Sequence, residues 1–213
     1  VRCLPETARS FVATADLTGP GFANTAAVVL TGGASTRMGT DKASLVVDGQ
    51  SMLDRVLATL EDAEVANVVV ADAHELPDAG GSQADGPLGP LAGVVAAWGE
   101  LTTSGAPDPV VVLSCDLPGI TSVVVRELVR TSLDHEHGAL AHDGERPQPL
   151  VAAYRPAAMR ELVAAFNRGE RSIRRCFGDW DLAQISFAPH LVADADTPAD
   201  LGAFVVEWPS GER

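Results

Sequence analysis

Apolar runs of strand length recur at residues 26–30, 65–71, 110–113 and 150–154. They are continuous rather than alternating, the pattern of parallel strands buried on both faces. Helical periodicity separates them. Ser51 stands as an N-cap with Asp54 three residues later, ahead of an apolar side made by Met52, Leu53, Val56, Leu57 and Leu60. Further helical patterns run over 91–101, 122–133 and 157–166, with Gly169 as the stop of the last. Asp48-Gly49 marks a tight turn, and Asp143-Gly144 marks a hairpin between 138–142 and 150–154. Strands alternating with helices predict an α/β three-layer sandwich, with some antiparallel pairing late in the chain. Residues 80–90, rich in Gly, Pro and Asp, read as a loop at a strand end, where ligands sit in this fold class.

The 213 residues are enough for one well-buried domain, which we place at 25–208. Residues 1–24 are small, polar and broken by Pro and Gly, so they are expected to be a disordered tail rather than a secretory signal. No apolar stretch reaches the roughly 18–20 residues of a membrane span. The formal charge of −14 counts against nonspecific binding to nucleic acid or to an anionic membrane, both of which need a basic footprint. A polyanionic substrate therefore needs a local positive island. Cys3, Cys115 and Cys176 are odd in number and far apart, which speaks against a disulfide framework and for a cytoplasmic, reducing setting. His135, His137 and His142 lack cysteines at zinc spacing and read as solvated loop histidines.

The strand at 26–30 runs into Leu30-Thr31-Gly32-Gly33-Ala34-Ser35-Thr36-Arg37-Met38-Gly39-Thr40-Asp41-Lys42. Gly32-Gly33 lets the backbone turn sharply and approach a ligand, and amides exposed there can cradle phosphates. Arg37 offers a planar fork and Lys42 a compact charge for phosphate oxygens. The P-loop pattern fails, because Gly39 is followed by Thr40-Asp41-Lys42 rather than Lys-Ser/Thr. The dinucleotide fingerprint fails as well, for want of Gly-x-Gly-x-x-Gly. Lys42 is the only lysine among 15 basic residues. A chance survivor can fall anywhere; this one falls in the phosphate loop.

Residues 110–118, Val-Val-Val-Leu-Ser-Cys-Asp-Leu-Pro, form an apolar strand ending on a carboxylate. A parallel strand delivers its C-terminal end to the ligand crevice, where Asp116 can hold Mg²⁺ against phosphate oxygens. The plainer alternative is an Asp capping the turn before Pro118. Arg168, Arg171, Arg174 and Arg175 cluster around Ser172. If Ser172 caps a helix, Arg174 and Arg175 sit in its first turn, against the macrodipole, as an anion site would require. A solvated basic face explains the same cluster equally well.

Taken together these segments resemble the molybdenum cofactor guanylyltransferases, the MobA-type nucleotidyltransferases. The opening Leu-Ala-Gly-Gly, Arg-Met-Gly and Asp-Lys motif is matched by residues 30–42, with Thr31 where Ala is usual. Further matches are Gly89-Pro90-Leu91-Ala92-Gly93, Cys115-Asp116-Leu117-Pro118, the Gln148 to Tyr154 segment, and Asp196-Thr197-Pro198-Ala199-Asp200-Leu201. The resemblance spans roughly residues 26 to 207. It implies a Rossmann-like, mostly parallel sheet of the nucleotide-diphospho-sugar transferase (GT-A-like) type, and a reaction joining GMP from GTP to the terminal phosphate of molybdopterin with release of pyrophosphate.

The resemblance also implies roles. Leu30, Thr31, Gly32 and Gly33 line the nucleotide, Arg37 and Lys42 neutralise its phosphates, and Asp116 binds Mg²⁺. Asp85 contacts guanine or ribose. Transient contact with proteins that make or accept the molybdenum cofactor also follows. The double glycine and Gly89–Gly93 look like the GTP-using branch, whereas Asp194-Ala195-Asp196 stands where that branch more often has asparagines. In a strand, Asp194 and Asp196 face one side, so both carboxylates can approach one metal or the pterin phosphate region. Thr197, Pro198 and Asp200 also make a good helix start, which explains part of the motif structurally. Asp196 thus stands as a candidate second metal ligand, and Arg174 and Arg175 as candidates for the acceptor phosphate. The competing readings are a CTP-dependent enzyme of the same kind, a nucleotidyltransferase acting on another phosphorylated small molecule, a nucleotide-sugar enzyme, and a non-catalytic nucleotide-binding regulator.

Overall fold

A computed structural model describes residues 22–31, 42–72, 89–202, 204 and 206–207. The expected N-terminal tail falls outside it up to residue 21. A six-stranded sheet forms the middle layer. Its strands are β1 (Ala26–Thr31), β4 (Asn67–Asp72), β5 (Val110–Ser114), β6 (Gly138–His142), β7 (Pro147–Tyr154) and β8 (Leu182–Ser186), in the order β4-β1-β5-β7-β6-β8. β1 lies parallel between β4 and β5, while β7 is antiparallel to both β5 and β6, and β6 is parallel to β8. Five strands therefore point one way, and β7 alone runs against them.

Helices cover both faces. On one face α1 (Met52–Asp62) and α3 (Ser122–Ser132) pack Val56, Leu60, Val125 and Leu128 against Ala27, Val29, Val111 and Leu113. On the other, α2 (Gly89–Leu101) and α4 (Pro156–Asn167) pack Leu91, Val94, Met159 and Leu162 against Ala26, Val28, Val110 and Val112. Alternate residues of one strand thus feed two separate cores, which is why these strands read as unbroken apolar runs. Each fully buried Leu or Val contributes about 1.5–3 kcal/mol.

The turn chemistry behaves as the sequence predicts. Ser51 Oγ accepts from the Asp54 amide at 3.0 Å and starts α1. Asp48 and Gly49, with φ of 51° and 79°, join β2 (Val46–Val47) to β3 (Gln50–Ser51). Both turn residues need the left-handed region, which matches the twist of a two-residue hairpin. At the β6–β7 turn, Asp143 Oδ1 accepts from the amides of Glu145 and Arg146, both at 2.8 Å.

Several expectations are corrected. The run 150–154 pairs antiparallel with β6, as the expected hairpin requires, but its strand begins earlier, at Pro147. The run at 65–71 gives β4, the outermost strand at its end of the sheet order, and Val70 is 45% exposed. Gly89 and Pro90 begin α2 rather than closing a loop. β8, weakly apolar, escapes the periodicity reading. So does a second sheet, β3-β2-β9, in which β9 (Val206–Glu207) pairs antiparallel with β2. That sheet encloses a small core of Leu45, Val47, Met52, Ala195 and Leu201.

The histidines are not simply solvated. His137 is 8% exposed and stacks on Trp180 at 5.0 Å. Its Nδ1 accepts from the Asp181 amide at 3.2 Å, which leaves the proton on Nε2 to meet Glu161 at 3.3 Å. His135 pairs with Asp181 at 2.8 Å.

Candidate active site

The parallel register brings two motif ends side by side. Leu30 lies opposite Ala71 on β4 and Ser114 on β5, and Thr31 opposite Asp72. One step beyond the ladder, the Cys115 amide donates to the Leu30 carbonyl at 2.9 Å. The chain therefore leaves β1 toward residue 32 at the point where it leaves β5 toward Asp116. Leu30 itself is buried in the α2–α4 core, so its backbone, not its side chain, faces the strand ends. Thr31 is half-buried and its Oγ1 reaches the Ala71 carbonyl at 3.4 Å. Gly32, Gly33, Arg37 and Asp85 lie outside the described residues, and Lys42 opens a short 3-10 turn, Lys42–Ser44.

Asp116 is half-buried behind Cys115, which packs as an apolar residue. Its carbonyl accepts from the Ala195 amide at 2.9 Å. This bond brings Asp194 and Asp196 to the end of β5. Residues 193–197 form no regular strand, yet Ala195 faces the small core while its acidic neighbours do not. Burial pushes the Asp194 carboxyl up, and the charges of Asp116 and Asp196 push it further. Arg146 from the β6–β7 turn approaches Asp194 at 3.9 Å. Asp200 Oδ2 accepts from the amides of Asp196 and Thr197, at 3.0 and 2.7 Å. The helix start read from Thr197, Pro198 and Asp200 forms a capping box, although it begins a 3-10 turn, Pro198–Leu201, rather than an α-helix.

The turn after Asp116 is held closely. A Cβ on Gly119 would lie 1.9 Å from the His190 carbonyl of α5 (Pro189–Val192), so only glycine allows that contact.

Across the sheet, the arginine segment sits at the same end of the strands. Arg174 donates to the carbonyl of Pro147, the first residue of β7, at 3.0 Å. The Arg171 carbonyl would be 3.1 Å from a Cβ on Gly89, the first residue of α2. The expected helix from Ser172 is instead a four-residue 3-10 turn, Ile173–Cys176, with no side-chain cap. Such a turn has little macrodipole and offers no helix-terminus anion site. Arg174 and Arg175 are exposed, and Arg175 stands 3.9 Å from Glu170. Arg171 is committed elsewhere: its guanidinium lies over Phe166 at 4.6 Å and bonds the Phe166 carbonyl.

Among the described residues, no three His, Cys, Asp or Glu side chains are grouped so as to hold a metal ion. No helix there is long and apolar enough to cross a membrane.

The family model described as "MobA-like NTP transferase domain" matches residues 27–185. The chain belongs to that family. It is 30% identical to the molybdenum cofactor guanylyltransferase of Shewanella baltica (strain OS185), over 81% of this chain and 91% of the relative. It is 29% identical to that of Shewanella sp. (strain MR-4), over 81% and 90%. Among solved structures, molybdopterin-guanine dinucleotide biosynthesis protein A from Archaeoglobus fulgidus superposes with a TM-score of 0.61 at 20% identity, covering 83% of this chain and 95% of the other. A 2-C-methyl-D-erythritol 4-phosphate cytidylyltransferase from Thermus thermophilus superposes at 0.56 with 19% identity, covering 83% and 95%. The α/β nucleotidyltransferase fold is thereby shared with proteins named for different bases, so in this MobA-like chain the fold alone does not select one.

Sequence motifs single out Asp116 and Asp196 as candidates but give no sign of Arg146 or Gly119. Neither belongs to a motif whose chemistry is visible without knowing what folds against it.

Proposed function

We propose that this chain is a Mg²⁺-dependent nucleotidyltransferase that moves GMP from GTP to the terminal phosphate of molybdopterin and releases pyrophosphate. The observation that carries the reading is the junction of Leu30 with Cys115, which sets the start of the glycine-rich loop beside Asp116. Residue similarity to the guanylyltransferases over most of the chain supports the choice of donor and acceptor.

The donor set suits magnesium. Asp116 and Asp196 offer hard carboxylate oxygens, and Mg²⁺ ordinarily takes one or two carboxylates with water and substrate phosphates completing its shell. A protein cage of three or more ligands is therefore unnecessary. When bound, the ion supplies charge neutralisation for the triphosphate and the departing pyrophosphate. The residues do the rest. The loop amides at Gly32 and Gly33 receive the phosphates, while Arg37 and Lys42 bring the positive charge that an acidic chain otherwise lacks. Arg174 and Arg175 receive the acceptor's phosphate from the opposite side of the strand ends. An oxygen of that phosphate attacks the α-phosphorus in line, a new P–O bond forms, and the bond to the β-phosphate bridge breaks. The nucleophile is already anionic at neutral pH, so no strong base is required. The work is orientation and the screening of two polyanions.

The acidic Asp194-Ala195-Asp196 segment favours a second reading, a cytidylyltransferase on the same acceptor. Pyrophosphate release measured with GTP, CTP, ATP and UTP in the presence of molybdopterin separates the two. Selective turnover of GTP is expected, and selective turnover of CTP replaces the first reading with the second. GTP binding with no pyrophosphate release under any of these conditions contradicts both and favours a regulator.

A further inference from the structure

Arg55 sits in the first turn of α1, half-buried, and spans two segments that the sequence keeps apart. Its Nη1 donates to the Val47 carbonyl at 3.3 Å and its Nη2 to the Pro118 carbonyl at 3.0 Å. Its guanidinium carbon stands 5.8 Å from the centre of the Phe204 ring, beside the small sheet. Val47 lies on the strand that follows the Lys42–Ser44 turn, and Pro118 lies two residues past Asp116.

We propose that Arg55 is a positioning residue that sets the Asp116 turn against the segment carrying Lys42, and thereby tunes divalent-metal binding at Asp116. This rests on the reading of Asp116 as a metal ligand given above. Three contacts hold the turn from other directions. The Ala195 amide holds the Asp116 carbonyl, Gly119 seats against the His190 carbonyl, and Thr59 Oγ1 reaches the Ile120 carbonyl at 3.5 Å. Arg55 alone among these ties the turn to the chain that leaves Lys42. The geometry requires arginine. A planar fork satisfies two carbonyls at once from a fixed angle, whereas a lysine ammonium on a flexible stem holds neither at a defined orientation. The packing of α1 does not depend on Arg55, because Met52, Val56 and Leu60 bury its apolar side. Loss of Arg55 therefore frees the turn before it frees the helix.

The test compares Arg55→Lys and Arg55→Met with Arg126→Met. Arg126 also bonds a main-chain carbonyl, that of Asp62, but at the seam of α3 and α1. Mn²⁺ affinity in the presence of GTP is followed by electron paramagnetic resonance titration, alongside thermal melts. Asp116→Asn serves as the reference for loss of the ligand. Wild type and Arg126→Met should bind Mn²⁺ alike, and Arg55→Met should bind about tenfold more weakly, as removal of a ligand-orienting contact generally does. Arg55→Lys should fall between them with a cooperative melt. Unchanged Mn²⁺ affinity in both Arg55 variants, with Asp116→Asn impaired, overturns the proposal. An equal loss in Arg126→Met also overturns it, since general loosening would then suffice. If Asp116→Asn binds Mn²⁺ as well as wild type, the metal reading itself falls and the proposal with it.

Discussion

The amide of Ala195 donates to the carbonyl of Asp116 at 2.9 Å. That bond lays the C-terminal acidic segment across the end of β5, next to the Cys115–Pro118 motif. Asp116 lies two residues past the end of β5 in the main sheet, whereas Ala195 belongs to the core under the small sheet. The bond therefore also joins the two sheets.

Lys42→Ala and Asp116→Asn should each lower turnover by about 10²–10³-fold, the usual cost of removing one group that stabilises transition-state charge. Their melting temperatures should stay near that of wild type. Pyrophosphate release and a thermal melt on the same preparations check both parts. Near-normal turnover in either variant contradicts the mechanism.

Glycine-to-alanine changes should split by environment. At Gly119 the new methyl group would meet the His190 carbonyl at 1.9 Å, and moving backbone aside should cost about 1–3 kcal/mol. At Gly99, exposed on α2 with nothing within 4 Å, alanine should instead stabilise by about 0.5–1 kcal/mol. Denaturant unfolding of the two variants gives the signs directly.

Asp143 adds an acid-sensitive contribution to stability. Bonds from the Arg146 backbone, and then from Glu145 and the Gln148 side chain, hold its carboxyl below the ordinary value of 3.8, against a smaller effect of burial. A carboxyl lowered in the folded state adds stability above its unfolded pKa, and this is lost as pH falls through the folded one. Wild type should therefore lose this one contribution as pH falls below about 3.9. Asp143→Asn should start less stable at neutral pH and show a shallower decline there. Melts recorded from pH 6 downward compare the slopes.

Tyr154 is the only tyrosine and is fully buried, with its hydroxyl donating to the Pro149 carbonyl at 2.9 Å. Burial pushes its phenol well above the ordinary value of 10. Stability from a raised acid is intact below the unfolded pKa and declines as pH rises above it. Tyrosinate absorbance should thus appear together with unfolding rather than as an independent titration near pH 10. A smooth titration in protein that keeps its far-ultraviolet circular dichroism would contradict the burial. Tyr154→Phe should cost about 1 kcal/mol for the lost hydrogen bond.

What could be read without the structure was what local chemistry states openly. Ser51 and Asp54 announce the start of α1, and Asp48-Gly49 announces its turn, because caps and tight turns are decided by a few adjacent residues. The doubly apolar runs of β1 and β5 announce a covered sheet. The arginine segment misled for a related reason. Ser172 has the composition of a cap, but a cap needs a helix after it, and there the chain makes one 3-10 turn before Phe177 and Trp180 are drawn into the α2–α4 core. β8 was silent because the outermost strand of a sheet tolerates polar residues.

The sequence by itself determined the layers and the residue types of the candidate site: a glycine-rich exit from β1, one lysine, and a carboxylate just past β5. Each depends on neighbours within a turn or two of the chain. Only the tertiary structure decided which of these meet. Register placed Leu30 beside Cys115, and the small core drew Ala195 under Asp116. Gly119 and Arg55 acquired their importance from backbone atoms far away in sequence. Side-chain periodicity encodes which face of an element is buried, but carries no record of which distant carbonyl that face will find.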